Sequence, residues 1–334
     1  MIRRITLSIC VFSAVLSSTA FARMQLGKDW VQATASAPWP EQSDHTVTVF
    51  NGKMWLIGNQ ATWYSSNGTI WNRSSSYGWW DERSGHTTMV LDGRMWVVGG
   101  EFGRPSNHVF ATTDGFNWTT VTLHAQWSPR TQHASVVHDG KMWVLGGLGD
   151  HGLFNDVWYS TNGTSWTCAT RAAGWSPACG HQAVSLAGRI WVIGVPGSGF
   201  NTEIWSSPNG ITWTRVLSVT PWTAWPGVDI PVFDPKAVVC DGRIWVMGGR
   251  DMSTGIGRSE VWYSSDGYTW FLAILYAAWP GRTGFGLVVF DRKMWILGGW
   301  SPGPKGTVGR SWNDVWYSSP PGPPTSSTLW WRYR

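Results

Sequence analysis

One sequence unit recurs six times along the chain, and this repetition limits the possible folds more than any other feature. The unit reads H-x-x-x-V-x-[DNA]-G-[KR]-[MI]-W-[VLI]-x-G, and its copies begin at His45, His86, His133, His181, Pro235 and Phe285. In each copy, two runs of β-branched and aromatic residues flank a two-residue turn, mostly of the Asp-Gly type, which is typical of a β-hairpin. Each unit therefore begins with two predicted antiparallel strands, a and b.

A second hairpin follows in each of the first five units, and the spacing of tryptophans fixes its alignment. Segments such as 62–71, 157–166 and 261–270 turn at Asn-Gly or Asp-Gly, which tolerate positive φ. The second strand of this hairpin carries a tryptophan eight residues after the aromatic residue of the first, and another tryptophan follows nine residues later. Each of these five units thus contains two more predicted strands, c and d.

The sixth unit lacks its own strand d and breaks off after residues 315–319 into PPGPPTSS, where proline removes the donors that a ladder needs. At the other end of the chain, residues 29–39 place Trp30 and Trp39 nine residues apart, as in segment 165–175. An N-terminal strand that completes the last sheet closes a ring and leaves no open edge. The sequence therefore predicts an all-β fold over residues 23–319, a six-bladed β-propeller with four antiparallel strands per blade.

Paired glycines after strand b, an aromatic residue in strand c and a tryptophan in strand d resemble kelch repeats of the galactose oxidase-like propeller group. The pairs are Gly99-Gly100, Gly146-Gly147, Gly248-Gly249 and Gly298-Gly299, and the resemblance covers about residues 29–319. It implies a propeller but no single function, because kelch propellers include enzymes, sugar-processing proteins and protein-binding scaffolds. The chain is also distantly similar to exported bacterial N-acetylneuraminate epimerases, which are six-bladed kelch proteins.

Both ends of the chain lie outside the repeat. Residues 1–22 combine Arg3 and Arg4, an apolar run and the small-x-small sequence 20–22, which predicts a cleaved signal peptide. We therefore expect a secreted or periplasmic protein, and no later segment is apolar enough to predict a membrane span in the mature chain. The Pro-rich tail, residues 320–334, ends in TLWWRYR and has no place in the repeat.

Charge and cysteine content exclude several classes of function. The net charge is +5 and is spread along the chain, so nucleic acid is not an expected partner. Three cysteines follow the signal segment, and an odd count allows at most one disulfide; Cys168 and Cys179 are the nearer pair, and their pairing stays open. The sequence contains no C-x-x-C pair, no nucleotide-binding loop and no G-x-S-x-G motif, so we expect no metal and no cofactor. We also expect the protein to be a monomer.

The variable segments of the repeat all fall on one face of the predicted propeller. The a–b and c–d turns are short and uniform, whereas the b-to-c tryptophan or phenylalanine spacing runs 8, 14, 15, 14, 17 and 21 residues from the first unit to the sixth. An insertion, residues 223–234, also lies in a d–a connection. Because binding sites are usually built from variable loops on a rigid scaffold, we expect the ligand at the b–c and d–a loops, which we call the loop face.

Nine residues are candidates for ligand binding on the loop face. Three arginines occupy one repeat position, three residues before strand a, and could offer bidentate contacts to a carboxylate, although bonding to carbonyls between blades is an equal alternative. Tryptophans outside the repeat pattern could stack on sugars or anchor a partner, and acids in the variable loops could accept hydrogen bonds. The candidates are Arg83, Arg130, Arg282, Trp79, Trp225, Trp300, Asp150, Asp229 and Asp251.

The recurring histidines and loop tryptophans favour structural roles. His45, His86, His133 and His181 start strand a in four units, which favours imidazoles bonded to neighbouring backbone over a metal ring or a catalytic base. His138 and Asp139 belong to an a–b turn, on the opposite face. The tryptophan that follows the strand-d tryptophan by nine residues recurs in every unit, which favours a role in packing between blades.

These observations predict a recognition module for a glycan or a protein partner on the loop face. The alternative, from the resemblance to the epimerases, is a mutarotase acting on an anionic sugar such as a sialic acid; it needs a general acid–base pair and an anion-binding arginine. Its candidate acids are Glu82, Glu101, Asp150, Asp229 and Asp251, among which the sequence does not choose, so the catalytic residues stay unknown. Copper oxidase chemistry is not expected, because no tyrosine pairs convincingly with a cysteine.

Overall fold

The structure is a computed structural model. It describes residues 25–58, 61–74, 83–197, 202–222, 224–225, 228–229, 232–252, 254–303 and 308–318, with the backbone alone at 224, 225, 228, 229 and 232. The predicted signal peptide and the tail 320–334 therefore lie outside the described residues. The described residues form no helix, and therefore no helix that could cross a membrane.

Six four-stranded antiparallel sheets form the six predicted blades. The first strand of the chain is β1 (Val31–Thr34). Blade 1 contains β2 (Thr46–Phe50), β3 (Lys53–Ile57), β4 (Thr62–Ser65) and β5 (Asn72–Arg73). Blade 2 contains β6 (Thr87–Leu91), β7 (Arg94–Val98), β8 (Val109–Thr112) and β9 (Trp118–Thr122). Blade 3 contains β10 (Ala134–His138), β11 (Lys141–Gly149), β12 (Gly152–Ser160) and β13 (Thr167–Thr170).

The second half of the chain continues the pattern around one insertion. Blade 4 contains β14 (Gln182–Leu186), β15 (Arg189–Pro196), β16 (Thr202–Ser207) and β17 (Thr214–Leu217). The insertion, residues 223–234, holds β18 (Ala224–Trp225), β19 (Val228–Asp229) and β20 (Val232–Phe233), which the repeat did not predict. Blade 5 contains β21 (Lys236–Cys240), β22 (Arg243–Met247), β24 (Val261–Ser264) and β25 (Phe271–Ile274), and its b–c loop carries β23 (Arg250–Asp251), which pairs with β20. Blade 6 contains β26 (Gly286–Phe290), β27 (Lys293–Ser301), β28 (Arg310–Ser318) and β1.

The first strand of each blade lies innermost. Strands β2, β6, β10, β14, β21 and β26 each contact the first strand of both neighbouring blades, so that they close a ring around a central channel. In all six blades the strand-b tryptophan donates its indole N–H to the last carbonyl of strand a, at 3.0–3.2 Å. The fold class predicted from the repeat is confirmed.

The ring closes as predicted, and the closure also rebuilds a turn from two distant parts of the chain. Strand β1 pairs antiparallel with β28, with Val31 opposite Tyr317. In a continuous blade such as blade 3, the Ser160 hydroxyl accepts from Gly163 N–H at 2.8 Å and Trp166 donates to the Gly163 carbonyl at 3.0 Å. In blade 6, Gly27 N–H donates to Ser318 Oγ at 2.8 Å and Trp30 donates to the Gly27 carbonyl at 3.1 Å. The c–d turn thus forms although its two halves are not joined in sequence.

The tryptophans of the d–a loops pack against the next blade, which confirms the predicted structural role for the described members. Trp39 lies edge-to-face on Trp71 at 4.6 Å between ring centroids, and Trp175 lies on Trp213 at 4.5 Å. Trp127, Trp222 and Trp279 are buried in the same way, while Trp80 lies outside the described residues.

Candidate binding site at the channel mouth

A cavity of about 390 Å³ opens where the first strands of the blades begin. Residues from all six blades line it, and most of them come from the last residues of the d–a loops and the first residues of strand a. Hydrogen bonds join these d–a loops to the b–c loops; Thr131, for example, exchanges two backbone bonds of 2.9 Å with Leu148. The loop face is therefore one connected surface around the channel mouth.

A belt of left-handed residues forms the rim of this cavity. The residue two positions before the first strand of each blade has a φ between 51° and 71°; these residues are Asp44, Gly85, Gln132, Gly180, Asp234 and Gly284. Glycine adopts this conformation without strain, and Asp and Asn tolerate it better than most residues. Glycine alternates with a larger residue around the ring, so three side chains, from blades 1, 3 and 5, project from the belt.

Backbone hydrogen bonds connect the belt from blade to blade in one rotational direction. Asp44 N–H donates to the Gly284 carbonyl at 2.8 Å, Gln132 N–H to the Gly85 carbonyl at 2.8 Å, and Gly180 N–H to the Gln132 carbonyl at 2.9 Å. Gly85 N–H donates to the Asp44 carbonyl at 3.3 Å. The rim is therefore held by the scaffold and is preorganised for a ligand.

The two belt carboxylates flank Gly284. Asp234 Oδ2 accepts from the Gly284 N–H at 2.8 Å and from the Thr283 hydroxyl at 2.6 Å, and its Oδ1 contacts Lys236 Nζ at 2.7 Å. On the other side of Gly284, Asp44 accepts from the Ser43 hydroxyl at 3.0 Å. The Asp44 side chain reaches solvent, but the channel walls desolvate it and Asp234 carries the same charge, so the pKa of Asp44 is raised. The Asp44 carboxyl is thus a weaker acid than an ordinary aspartate.

Arg250 and two aromatic residues complete the cavity wall. Arg250 pairs with Phe233 across β20 and β23, and its guanidinium lies 5.9 Å from the Phe233 ring. Lys236 contacts Asp234, whereas among the described residues no carboxylate forms an ion pair with Arg250. Trp300, a predicted ligand-binding residue, also lines the cavity and is half-buried. The wall therefore combines carboxylates, an amide, two cations and aromatic rings.

The four histidines that start strand a lie between blades, and the bonds of His45 and His181 to neighbouring backbone match the prediction. His45 Nε2 bonds to the Leu297 carbonyl at 3.1 Å and His181 Nε2 to the Leu145 carbonyl at 3.2 Å, each in the preceding blade. His86 and His133 instead bond to threonine hydroxyls, Thr46 and Thr87, in the preceding blade. Burial lowers the pKa of His45 and His181 to about 4 and of His86 to about 3, and it lowers that of His133 well below its usual range. These imidazoles are neutral at pH 7 and join the blades.

Two of the three predicted ligand-binding arginines are fully buried within their own blades. Arg130 makes a bidentate pair with Asp156, at 2.6 and 2.9 Å, and donates to the carbonyls of Gly146 and Ser128. Arg282 repeats this arrangement with Asp314 at 2.6 and 3.0 Å and with the carbonyls of Gly298 and Pro280. Because both guanidinium groups are 0% exposed, a ligand in solution cannot contact them. Both arginines bond to backbone carbonyls, as the second of the two sequence interpretations expected. The carbonyls lie within one blade, however, and not between two blades.

Arg83 is also buried, at 3% exposure, and it pairs differently. Its guanidinium donates to the Gly99 carbonyl at 2.9 Å and contacts Ser106 Oγ and His108 Nδ1. His108 occupies the repeat position of Asp156, two residues before the strand-c aromatic residue. The variation of the arginine position among units is thus accompanied by changes at a second position within the blade.

Among the other predicted residues, those with described side chains, Asp150, Asp251 and Glu101, do not line the cavity. Asp251 is buried and contacts Arg258 at 3.3 Å, and Asp150 is exposed in the β11–β12 turn. Glu101 lies 3.4 Å from the Ser84 hydroxyl at the edge of the loop face. Trp79 and Glu82 lie outside the described residues, and at Trp225 and Asp229 only the backbone is described.

The opposite face matches the prediction of tight turns. Asp139 has a φ of 49°, as an a–b turn requires, and the buried His138 contacts the Ser185 hydroxyl at 2.9 Å.

Cys168, Cys179 and Cys240 are free thiols, so the structure forms no Cys168–Cys179 disulfide. Within the described ranges, no group of three or more His, Cys, Asp or Glu side chains could hold a metal ion.

Sequence reasoning missed the residues that line the cavity most directly. The sequence pattern does not include Asp44, Gln132 and Asp234, because each lies one residue before the first residue of a repeat unit. A usable signal was present, since glycine alternates with a larger polar residue at this one position around the six units.

The fold defines the class of protein: the chain is a six-bladed β-propeller, and its third blade matches a kelch motif. The kelch motif matches residues 129–159, which hold strands a to c of blade 3. Among solved structures, the chain is similar to one titled "Structure of YjhT", with a TM-score of 0.65 and 14% sequence identity. The similarity covers 84% of this chain and 96% of that chain, and at this identity it concerns the fold alone. No curated protein matched the sequence.

Proposed function

We propose that this propeller is an exported recognition module that binds a glycan at the channel mouth. The observation that carries the proposal is the cavity of about 390 Å³, within the range of small-molecule sites, on a rim held by hydrogen bonds between blades. Carboxylates and amides suit the hydroxyl groups of a sugar, and aromatic rings such as Trp300 suit its apolar face. Export is supported by the sequence of residues 1–22 alone.

A glycan array with purified protein tests the proposal, because the rim can be stripped without disturbing its backbone. Asp44→Gly and Gln132→Gly introduce the residue that blades 2, 4 and 6 already carry at this left-handed position. Combined with Arg250→Ala, these changes should weaken binding of any glycan hit at least tenfold. Arg104→Ala, at an exposed position outside the cavity, is the matched control. Equal binding by the stripped variant and by wild type would move the site elsewhere.

A protein partner would occupy a larger part of the loop face than a sugar does. Exposed apolar side chains such as Phe102 and Leu153 lie on the b–c loops around the cavity. Capture of a protein that loses affinity after Phe102→Ser and Leu153→Ser, but not after Gln132→Gly, would favour a protein partner over a glycan.

The second candidate is a mutarotase for an anionic sugar, and Asp44 is the observation that favours it. Mutarotation needs one group that protonates the ring oxygen while another removes the proton of the anomeric hydroxyl. The raised pKa of Asp44 suits proton transfer nearer neutral pH, Asp234 supplies a second carboxylate across Gly284, and Arg250 can pair with the sugar carboxylate. The rate of anomer exchange, followed by NMR with an anionic sugar, should fall at least a hundredfold in Asp44→Asn. An unchanged rate, or no acceleration by wild type, would exclude this candidate.

A further inference from the structure

A groove of about 720 Å³ lies on the outer part of blade 4, away from the channel. Trp205, Trp213, Glu203 and Arg215 supply its chemistry, and Gly174, Ser176, Gly197 and Thr214 complete its walls. None of these residues lines the cavity at the channel mouth. The groove is therefore independent of the proposed glycan site.

Two other blades show which group normally pairs with the carboxylate at this position of the repeat. In blade 3, Asp156 accepts from the Trp158 indole at 2.7 Å and receives both arms of the Arg130 guanidinium. In blade 6, Asp314 accepts from Trp316 at 2.8 Å and receives Arg282. Each guanidinium also lies over an aromatic ring, at 4.4 Å from the Phe154 centroid and 5.0 Å from that of Trp312. The repeat thus contains a site for a guanidinium, built from a carboxylate and aromatic rings.

Blade 4 keeps the carboxylate and lacks this arginine. Glu203 stands at the position of Asp156, and its Oε2 accepts from the Trp205 indole at 2.7 Å, but Ala178 replaces the arginine. The chain's own substitute is Arg215 from strand d, with a single contact of 3.2 Å to Glu203 Oε1. The Glu203 side chain is 8% exposed, whereas that of Arg215 is 55% exposed, so this pair contributes little and is easily exchanged.

The remaining blades satisfy or remove the acid in other ways. In blade 5, where Val232 replaces the arginine, Glu260 pairs with the half-buried Arg258 at 2.6 Å. In blade 1, Ala61 replaces the acid. In blade 2, His108 replaces it and contacts Arg83. Among the described blades, blade 4 is the one in which a buried carboxylate relies on an exposed arginine.

We propose that the groove of blade 4 binds an arginine side chain of a partner protein, whose guanidinium pairs with Glu203 in place of Arg215. A planar guanidinium can contact both oxygens of Glu203, as Arg130 and Arg282 contact the aspartates of their own blades. The rings of Trp205 and Trp213, which line the groove, can supply the aromatic contact that Phe154 and Trp312 supply in those blades. A lysine ammonium lacks both the fork geometry and the stacking face, which favours arginine.

Titration with Nα-acetyl-arginine amide tests the proposal, with Nα-acetyl-citrulline amide as the matched neutral ligand. Heteronuclear NMR of wild type should show saturable shifts of the Trp205 and Trp213 indole signals with the arginine compound and none with citrulline. Glu203→Gln should weaken binding at least tenfold while its amide oxygen still accepts from Trp205. Ala178→Arg supplies the guanidinium from within, as in blade 3, and should abolish binding.

Arg215→Thr provides a change in the opposite direction, because it removes the internal competitor. Threonine occupies the corresponding position in blade 2, as Thr120, so the strand retains a residue that the repeat accepts. We expect binding at least threefold tighter than in wild type. Arg73→Thr is the matched control, since Arg73 stands opposite Trp63 as Arg215 stands opposite Trp205, in a blade without the acid. Equal shifts with citrulline, no effect of Glu203→Gln, or no saturable binding even by Arg215→Thr would each overturn the proposal.

Discussion

The two faces of the propeller use the repeat in different ways. On the turn face, each c–d turn makes the same contacts, so that Gly163 packs on Trp96 and Gly210 on Trp143 of the preceding blade. On the loop face, one left-handed position carries Asp, Gly or Gln, and the loops that follow differ in length. A position that never changes is needed by every blade, whereas a position that changes is available for binding. The arginine position shows the limit of this rule, since its variation is absorbed inside the blades.

Among single substitutions, the largest expected difference separates a buried arginine from an arginine at the mouth. Arg130→Ala leaves Asp156 without its guanidinium and should lower the free energy of unfolding by about 3–5 kcal/mol. Arg250→Ala should change it by less than about 0.5 kcal/mol. Urea unfolding followed by tryptophan fluorescence measures both values. Similar losses in the two variants would show that the mouth is as much a part of the scaffold as the blade interior.

The turn face offers a comparison between two glycines with positive φ. A Cβ at Gly163 collides with the Trp96 indole, whereas a Cβ at Gly140 meets nothing within 4 Å. Both alanine substitutions incur backbone strain of about 1 kcal/mol, and Gly163→Ala should lose a further 2 kcal/mol or so because the indole must shift. Thermal or urea unfolding of the two variants gives the difference directly. If Gly163→Ala is no less stable than Gly140→Ala, the indole yields freely and the contact between blades is weak.

The four histidines between blades should make the ring sensitive to acid. Their pKa values are lowered in the folded state, so below pH 6.5 the unfolded chain binds protons that the folded chain does not. Stability is therefore complete at neutral pH and is lost as the pH falls toward about 4. We expect His45, His86 and His181 each to account for a loss on the order of 1–2 kcal/mol between pH 7 and pH 5. Urea unfolding across this range measures the slope, which should be shallower in His181→Gln; an unchanged slope would contradict the assignment.

The smallest expected effect has the opposite sign and belongs to the channel mouth. The pKa of Asp44 is raised in the folded state, so the folded chain holds this proton more tightly than the unfolded chain does. The stability of the folded state therefore falls as the pH rises above the ordinary pKa of an aspartate toward the raised one. Asp44→Asn keeps a residue that tolerates positive φ and should stabilise the protein at pH 7 by a few tenths of a kcal/mol. A loss of stability in Asp44→Asn at pH 7 would show that the ionised carboxylate supports the belt.

The fold could be predicted because its signals are local and repeated. Asn162-Gly163 specifies a turn wherever it stands, and the alternation around Trp143 specifies a strand, so six copies gave the blades and their number. Trp30 and Trp39 also identified the strand that closes the ring. The site could be predicted only as a face, because the loops that approach the channel are distant in sequence. Trp300 was found and Asp44 was not, although both line the same cavity.

The sequence by itself determined the strands, their turns and the number of blades, since backbone conformation there depends on residues a few positions apart. Only the tertiary structure decided which polar residues are available to a ligand. Arg130 and Arg250 are both arginines beside loops, yet a carboxylate 26 residues away, Asp156, binds the first within the blade, while no described carboxylate pairs with the second. Burial and pairing depend on residues brought together by ring closure, and no local pattern encodes them.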